Sequence, residues 1–370
     1  MANGNYVIEQ FEAFAPKKFA LEGDPIGLQI GTLNKEVKRV LVTLDVLESV
    51  VDEAIEKKID LIIAHHPPIF SKLANVTDRS ATGRIVSKCI KHDISVYAAH
   101  TNLDVTPGGV NDWMAEALGL ESCEVLAPTF ENTQYKLSVF VPTEAVERVS
   151  TALAQAGAGK DGDYSDCQFH VNGTGQFRPS TDATPYTGEA GQLERVSEVR
   201  IETIVTELNQ KQVIRAMKQA HPYEEVAYDL IRQERSAAPL GLGRIGRLPE
   251  AMTLRAFAEH VRNVFGVQNL RFVGDESRQI NKVAVLGGDG NKYVSAAAFA
   301  GADVLVTGDL YFHVAHDAMA LNLAIVDPGH HVESVMKEGV VNELSRRFKE
   351  KKIDVELIVS TANTNPFQFL

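Results

Sequence analysis

The feature that most constrains the fold is a series of short apolar segments that alternate with helical patterns in the first third of the chain. Residues 38–45, 59–66 and 94–101 have the pattern of strands that are apolar on both faces, and a helical pattern follows each of them. Strands of this kind, when joined by helices, form a parallel sheet covered on both sides. The last third alternates in the same way. We therefore predict an α/β fold in which two α/β halves form one mainly parallel-sheet core.

The middle of the chain follows a different pattern. A strand at 134–142, a helix, a Gly-, Ser- and Thr-rich hairpin region, a further strand, a helix and a last strand succeed one another. This β-α-β-β-α-β order is the ferredoxin-like arrangement. A length of 370 residues also exceeds the usual size of a single core. We predict an α+β domain at 129–237, inserted into a core formed by 1–128 and 238–370.

Composition argues against several classes of function. The formal net charge is −12, whereas nonspecific nucleic-acid binding requires a clustered basic face, so a nucleic-acid partner is not expected. No window approaches the roughly 20 apolar residues of a membrane span, and no secretory signal is recognised. The three cysteines are widely spaced and form no CxxC, as is typical of a reducing compartment. We predict a cytoplasmic protein with no membrane partner.

Two adjacent histidines, His65 and His66, end the second predicted strand and are followed by Pro67. In α/β sheets, ligands bind beyond the carboxyl ends of the strands. The proline favours an extended backbone at His66, on which neighbouring side chains point to opposite sides. The two histidines are therefore expected to bind two different ions, or one is expected to bind an ion while the other lies just outside the ligands. Two partly buried, hydrogen-bonded histidines at a strand end explain the motif equally well.

The third predicted strand ends in a similar way, with His100 and Asp104. Imidazoles combined with a carboxylate are ligands of zinc, manganese and iron, and the two oxygens of Asp104 allow it to bridge two cations. The alternatives are a structural histidine bonded to the backbone, and an aspartate that caps a helix or forms a turn before Pro107.

A third cluster begins the long helix near the C-terminus. His330 and Glu333 are three residues apart and therefore share a helix face, while His331 is rotated by roughly 100° and is a poorer candidate. Glu333 would also suit a helix N-terminus for its negative charge alone. Three strand ends that offer histidines or acids at one edge of one sheet predict a metal site, although they do not identify the metal.

A fourth histidine cluster lies in residues 307–318. Asp309 is predicted to cap a helix, and His313 and His316 follow at helical spacing, so a rival site could be built there. We assign His316 a role either in supporting a metal ligand or in handling protons. The glycines within 241–246 have the spacing of a dinucleotide-binding loop, but no βαβ unit surrounds them, and we interpret them as a close-packed turn.

These motifs resemble those of the Nif-three-like family, whose members are named GTP cyclohydrolase 1 type 2 homologs. The resemblance rests on EGDPIGLQIG, LIIAHHPPIF, AAHTNLD, GLGRIGRL, VLVTGDLYFHVAHDA and DPGHHVES, which follow the family's order over nearly the whole chain. The insert resembles the trimer-forming PII-like or CutA-like modules that longer bacterial members carry, and HPYEEVAYDLI at 221–231 is its most characteristic stretch.

The resemblance implies a dinuclear site for two divalent metal ions, with zinc as the first expectation and manganese or iron as alternatives. The implied metal ligands are His65, His66, Asp104, His330 and Glu333. His100 and His316 would lie beside the metal, and we assign them catalytic roles. Some relatives separate the last His and Glu by four residues, so His331 stays an alternative to His330. The family also implies a toroidal homohexamer with trimer contacts through the insert.

Two hypotheses about function follow. In the first, the protein is a metal-dependent hydrolase of the GTP cyclohydrolase class, or of a phosphoester or amide hydrolase class, that acts on a small molecule with metal-activated water as nucleophile. In the second, it is a non-catalytic metal-binding regulator or scaffold whose insert binds a small molecule or a partner. Five protein ligands shared by two ions leave positions free for water, as a catalytic site requires, and this favours the hydrolase.

Overall fold

A computed structural model describes residues 2–182 and 185–370 of the chain. The chain divides into two compact units, of which the first is Met1–Phe130 with Leu240–Leu370 and the second is Glu131–Pro239. The insert was predicted at 129–237. The second unit begins and ends two residues later, at 131 and 239. Its interpretation as a PII-like module stays a prediction.

The described strands, in chain order, are β1 Ala2–Asn3, β2 Gly27–Ile30, β3 Glu36–Val37, β4 Arg39–Thr43, β5 Leu61–Ala64, β6 Ser95–Ala98, β7 Glu121–Phe130, β8 Thr133–Pro142, β9 Gln168–Phe177, β10 Glu194–Thr206, β11 Tyr228–Ser236, β12 Leu240–Thr253, β13 Arg271–Val273, β14 Gln279–Asp289, β15 Val304–Gly308, β16 Ala324–Asp327 and β17 Glu356–Val359.

The described α-helices are α1 Gly4–Glu12, α2 Glu48–Glu56, α3 Ala81–Lys91, α4 Thr101–Val105, α5 Val110–Ala117, α6 Val146–Gln155, α7 Gln210–Ala220, α8 Leu254–Val264, α9 Val294–Phe299, α10 Phe312–Ala320 and α11 Val335–Lys351. Short 3₁₀ helices span Lys17–Phe19, Thr143–Ala145, Asn291–Tyr293 and His330–Ser334. Within the described ranges, no helix is both long and apolar enough to cross a membrane.

The first unit contains a five-stranded sheet in the order β17-β4-β5-β6-β2. Its central strands β4, β5 and β6 are parallel neighbours, and every residue of β5 and β6 is buried. Burial on both faces is what their continuous apolar sequences predict. Strand β2 joins the edge antiparallel to β6, so the sheet is mixed. The carboxyl ends of β5 and β6 lie side by side, because Ala64 pairs with Ala98.

A second, six-stranded sheet in the same unit has the order β13-β16-β15-β14-β12-β7. Strands β14, β15 and β16 are parallel, whereas β7, β12 and β13 join antiparallel. The prediction of one mainly parallel sheet is therefore wrong. Apolar periodicity identifies strands that are buried, but it does not determine which strands pair or whether they form one sheet or two.

The short strands β1 and β3 form a third, two-stranded sheet of the first unit. The main core of this unit lies where its two large sheets and several helices pack together. Side chains from the first sheet such as Val40 and Leu61 share one hydrophobic cluster with Val283 and Val306 of the second sheet. Each of these four side chains is fully buried. Burial of a valine or leucine contributes about 1.5–3 kcal/mol, so this shared core fixes how the two sheets are placed relative to each other.

The glycine-rich segment predicted to be a turn is part of strand β12. A Cβ atom added at Gly241 would lie 2.0 Å from the carbonyl oxygen of Ala127 on the paired strand β7. Close packing therefore explains the glycine, while the prediction of a turn is wrong. Between these glycines, Arg244 is buried and forms an ion pair with Asp112, with its Nη2 2.7 Å from Oδ2.

The second unit is a four-stranded antiparallel sheet in the order β11-β8-β10-β9, with α6 after β8 and α7 after β10. This is the order of strands in the ferredoxin-like arrangement that the sequence predicts. The helices pack on one another and on the sheet, and their apolar faces form a separate core with the sheet, which includes Leu137, Val149, Ile201 and Val213. The unit therefore has its own hydrophobic core.

Glu53 attaches helix α2 to the segment after β17, and its loss should destabilise the first unit. Its carboxylate accepts hydrogen bonds from Lys57, Ser360 and Thr361. Burial opposes its ionisation, yet these bonds outweigh burial and lower the pKa of Glu53 from 4.5 to about 2. We expect Glu53→Gln to lower the free energy of unfolding by about 1–3 kcal/mol, because hydrogen bonds to a charged group are lost.

The sign of the pH effect follows from the lowered pKa. The stabilisation by Glu53 is complete above pH 4.5 and is lost as the pH falls from 4.5 towards 2. Denaturant unfolding at pH 7 and pH 3 measures it: the difference between wild type and Glu53→Gln should shrink at pH 3. Glu56→Gln, an exposed position on the same helix, is the control and should change stability by less than about 0.5 kcal/mol. Equal effects of both variants would contradict the prediction.

Candidate metal centre

Residues from the two large sheets of the first unit meet at one site. His65 and His66 directly follow β5, His100 lies between β6 and α4, and Asp104 belongs to α4. His330 and Glu333 come from the 3₁₀ helix that follows β16 of the six-stranded sheet. The interpretation that all these residues share one edge of one sheet is therefore wrong. The carboxyl ends of parallel strands in two facing sheets provide them.

His65 and Asp104 form the most deeply buried part of the site. The side chain of His65 has no exposed surface, and its Nδ1 donates to the carbonyl oxygen of Ala99 at 2.9 Å. Its Nε2 lies 3.6 Å from Oδ1 of Asp104 and 3.8 Å from Oε1 of Glu333. Both His65 Nε2 and Asp104 Oδ1 are buried with no hydrogen-bond partner. A buried polar atom without a partner is costly, and a cation between these atoms would satisfy both.

His66 and His330 approach the other oxygen of Glu333. The Nε2 atoms of both imidazoles lie 3.1 Å from Oε2 of Glu333. His330 and Glu333 are three residues apart on a 3₁₀ helix, where such side chains are aligned. The Nδ1 of His66 donates to Asp45 at 2.7 Å, and that of His330 donates to Asp309 at 2.8 Å. Each of these two imidazoles is thus oriented by a carboxylate that accepts a hydrogen bond from its Nδ1.

All four imidazoles of the site share this orientation. The Nδ1 of His100 also donates to a carboxylate, that of Asp24, at 2.9 Å. In each ring the anchored Nδ1 fixes the tautomer and leaves Nε2 to face the centre, which is the arrangement of histidines that bind metals. The supporting roles of the carboxylates of Asp24, Asp45 and Asp309 were not predicted from the sequence.

Each supporting carboxylate has a sequence signal that could have identified it. Asp24 lies in the motif EGDP, Asp45 follows a buried strand, and Asp309 follows β15. Asp309 was predicted to cap a helix, but α10 begins three residues later, at Phe312, with Tyr311 as its N-cap. Asp309 instead adopts a positive φ of 55° and accepts the hydrogen bond from His330.

Three groups of side chains offer ligand atoms that lie within 4.8 Å of one another. They are His65 with Asp104 and Glu333, His66 with His330 and Glu333, and His65 with His66 and His100. Glu333 belongs to two of them and faces each with a different oxygen. The adjacent rings of His65 and His66 lie 5.0 Å apart, so they do not diverge as fully as an extended backbone predicts.

The structure does not bring the remaining candidates into these groups. His316 is exposed on α10, and its ring lies 4.9 Å from that of Phe312. His331 is absent from the three groups, which include His330 instead. The burial of His331 lowers its pKa.

Shared carboxylates dominate the titration of the site. Burial opposes a charge on His66, but hydrogen bonds to Asp45 and Glu333 outweigh burial and raise the pKa of His66 to about 10. The hydrogen bond to Glu333 raises the pKa of His330 to about 9. Burial raises the pKa of Asp104 to about 6. For Glu333 burial acts in the same direction, but hydrogen bonds from the imidazoles outweigh it and lower the pKa.

A cleft of about 690 Å³ leads to these residues. His66, His100, Asp104, His330 and Glu333 all line it. Its other walls include the backbone of 287–288, the aromatic rings of Phe70 and Tyr293, and one lysine, Lys292. The ligand atoms are therefore buried on the protein side and accessible to a small molecule from the cleft.

The family model for Duf34/NIF3 (NGG1p interacting factor 3) matches residues 2–366 of the chain. The chain belongs to the Duf34/NIF3 family. This Duf34/NIF3 protein is 57% identical over 368 residues to a GTP cyclohydrolase 1 type 2 homolog of Bacillus subtilis (strain 168), with 100% of this chain and 99% of the relative covered. The match confirms the family that the sequence motifs indicate.

Solved structures of relatives share the fold of this Duf34/NIF3 protein. A Bacillus cereus protein related to NIF3 is 55% identical and superposes with a TM-score of 0.92, with 100% of this chain and 99% of that chain covered. Staphylococcus aureus protein SA1388 is 33% identical, with a TM-score of 0.73 and the same coverage. The full-length coverage shows that both units of this chain have counterparts in its relatives.

Proposed function

We propose that this Duf34/NIF3 protein is a metal-dependent hydrolase with a dinuclear metal site. The observation that carries the proposal is the position of Glu333, whose two oxygens face two different donor groups. In this assignment His65 and Asp104 would hold one ion, His66 and His330 would hold the other, and Glu333 would offer one oxygen to each. The carboxylate first considered as a bridge was Asp104, but it belongs to only one of the donor groups.

The donor set suits the metals that the sequence suggests. Imidazole and carboxylate ligands are typical of zinc, manganese and iron, and zinc is our first expectation. Two such ions, when bound, lower the pKa of a coordinated water and stabilise negative charge that develops on the substrate. Three protein ligands for each ion, with Glu333 shared by both, would leave further positions open on the side of the cleft. A purely structural zinc site, by contrast, is closed by four protein ligands.

His100 is the residue that we propose for proton transfer. It lines the cleft, and its Nδ1 is held by Asp24. Burial opposes a charge on this ring, but the hydrogen bond to Asp24 and the nearby carboxylates outweigh it and raise its pKa. His100 can thus hold a proton at Nε2 and donate it to a leaving group in the cleft. His316, which shared this role in the sequence analysis, is not included in the proposal because it lies outside the site.

The substrate that we propose is a small molecule, and nucleotides should be tested first. The relatives' name suggests GTP as the substrate. Lys292 is the one lysine or arginine among the described residues that line the cleft, so the protein offers few positive charges to a triphosphate. This makes phosphomonoesters and cyclic amides equally useful test substrates. The predicted homohexamer stays a prediction, which light scattering of the purified protein would test.

Elemental analysis of the purified, untagged full chain tests the proposal. We expect about two divalent ions per chain, since two ions would act together. His65→Ala should remove about one of them, because in the proposed assignment His65 is a ligand of only one of the two ions. His313→Ala is the matched control: this exposed histidine is absent from the donor groups, and its loss should leave the metal content unchanged.

The opposite result is equally clear. A metal content near zero that added zinc, manganese or iron cannot raise would contradict the dinuclear site and with it the hydrolase. Two ions per chain without hydrolysis of nucleotides, phosphoesters or amides would instead support the second hypothesis, a metal-binding regulator or scaffold.

A further inference from the structure

The second unit contains a cavity of about 640 Å³ that the proposed hydrolase does not use. Strands β9 and β10 contribute to it, together with residues that follow α7. Among the described residues, four aromatic side chains line it, and three of them form a cluster. In this cluster the ring of Tyr223 lies 6.3 Å from that of Phe177 and 6.0 Å from that of Tyr186. Aromatic walls of this kind bind apolar groups and also attract cations through their π faces.

A buried carboxylate, that of Glu198, lies in the wall of the same cavity. The residue is only 9% exposed, and its Oε1 accepts a hydrogen bond of 2.9 Å from the hydroxyl of Tyr223. On the adjacent strand β9, Gly175 leaves room for this carboxylate, because a Cβ atom added there would lie 2.0 Å from Oε2 of Glu198. Within residues 2–182 and 185–370, no lysine or arginine forms an ion pair with Glu198. A buried carboxylate without a cation is energetically unfavourable.

The position of Tyr223 is fixed by its neighbour in the motif HPYEE. His221 is buried; its Nε2 donates to the carbonyl oxygen of Phe140 at 2.9 Å, and its Nδ1 accepts from the backbone N–H of Tyr223 at 3.1 Å. Burial and the contact with Glu198 raise the pKa of Tyr223, so its hydroxyl stays protonated and donates to the carboxylate. The motif therefore has a role inside one chain, in addition to the trimer packing predicted for it.

The charge of the lining adds to the effect of the buried carboxylate. The acidic residues that line the cavity are Asp182, Glu198, Glu224 and Glu225. Arg178 is the one described cationic residue of the lining, and its Nη1 donates to the carbonyl oxygen of Gly191. The cavity thus combines an excess of negative charge with aromatic walls, and this combination attracts organic cations more than anions or neutral molecules.

We propose that this cavity binds a small aliphatic amine in its ammonium form. The ammonium group would donate to the carboxylate of Glu198, and the alkyl chain would lie against the rings of Phe177, Tyr186 and Tyr223. A charge-assisted hydrogen bond together with contact to aromatic faces gives both affinity and selectivity for a protonated amine. The site lies wholly within the second unit and does not depend on the metal ions proposed for the first.

Isothermal titration calorimetry of the full-length protein tests the proposal with spermidine and n-butylammonium as probes. At about 150 mM NaCl, which screens nonspecific attraction to an acidic protein, we expect each amine to bind once per chain. The neutral isostere n-butanol should not bind, and Mg²⁺ should not displace spermidine. No binding of either amine at millimolar concentration would overturn the proposal, and so would displacement by Mg²⁺.

Variants locate the site. Glu198→Gln keeps the shape of the side chain but removes its charge, and it should weaken spermidine binding at least tenfold. Tyr186→Ala removes a ring that is 53% exposed, so it preserves the fold, and it should weaken binding severalfold even if Glu198→Gln proves unstable. Asp163→Asn, an exposed acid of the same unit, is the control for general charge and should have no effect. Equal binding by wild type, Tyr186→Ala and Glu198→Gln would place the amine elsewhere and overturn the assignment.

Discussion

Glu333→Gln is expected to reduce the metal content from about two ions per chain to less than one, the largest effect of any single substitution in the site. Both donor groups that contain Glu333 lose their shared carboxylate, since Oε1 faces His65 and Oε2 faces His66 and His330. Glutamine keeps the size of the side chain, but its amide nitrogen cannot coordinate a cation and its oxygen carries no charge. Elemental analysis after gel filtration measures the change.

Two controls make the result specific to Glu333. Glu338→Gln changes an exposed glutamate of α11 and should retain about two ions per chain, as the wild type does. Circular dichroism should show the same helix content for both variants, because Glu333 lies in the short 3₁₀ helix after β16 and is not part of the apolar core. Retention of both ions by Glu333→Gln would exclude a bridging role, and loss of one ion alone would assign Glu333 to a single donor group.

Asp45→Asn is expected to lower the affinity for zinc at one of the two positions by about 10–100-fold, the size of effect typical for residues that hold a metal-binding histidine. Asp45 accepts the hydrogen bond from Nδ1 of His66 at 2.7 Å. The charge of Asp45 orients the ring and makes its Nε2 a better donor to a cation, and asparagine removes that charge. Because Asp45 contacts only His66 among the proposed ligands, the other position should keep its affinity.

Competition with a chromogenic chelator measures both affinities in one titration. Asp317→Asn, an exposed acid on α10, is the matched control and should give the two affinities of the wild type. If Asp45→Asn leaves both affinities unchanged, Asp45 does not support a metal ligand. If both affinities fall together, the two positions are coupled more strongly than separate donor groups imply.

The residues of the candidate site could be predicted largely because they follow apolar strands. Strands β5 and β6 are continuous runs of buried residues, so the polar residues next to their carboxyl ends stand out in the sequence. His65, His66, His100 and Asp104 are found there, and the structure brings them together with His330 and Glu333. His316 had no such support. Helical spacing relates His316 to His313 on the same helix, but it does not bring His316 to the site.

The pairing of each supporting carboxylate with its histidine could not be predicted in the same way. Asp24 lies 76 residues from His100 in sequence, Asp45 lies 21 from His66, and Asp309 lies 21 from His330. A contact between residues so far apart depends on how loops fold across strand ends, for which a single sequence carries no periodic signal. The same limit explains why the sequence suggested Asp104 as the bridging carboxylate, whereas we propose Glu333: the two carboxylates are chemically alike, and only their positions distinguish them.

By itself, the sequence determined which segments become buried strands, the β-α-β-β-α-β order of the second unit, and the chemical types available at the ends of the strands. These are local properties, because alternation and apolar runs record the environment of each residue along the chain. Only the tertiary structure decided that the parallel strands of the first unit are divided between two large sheets, that Glu333 faces two donor groups, and that Glu198 lies in an aromatic cavity. Each of these depends on pairings between distant strands and on side-chain directions, and these are set by the packing of the whole core.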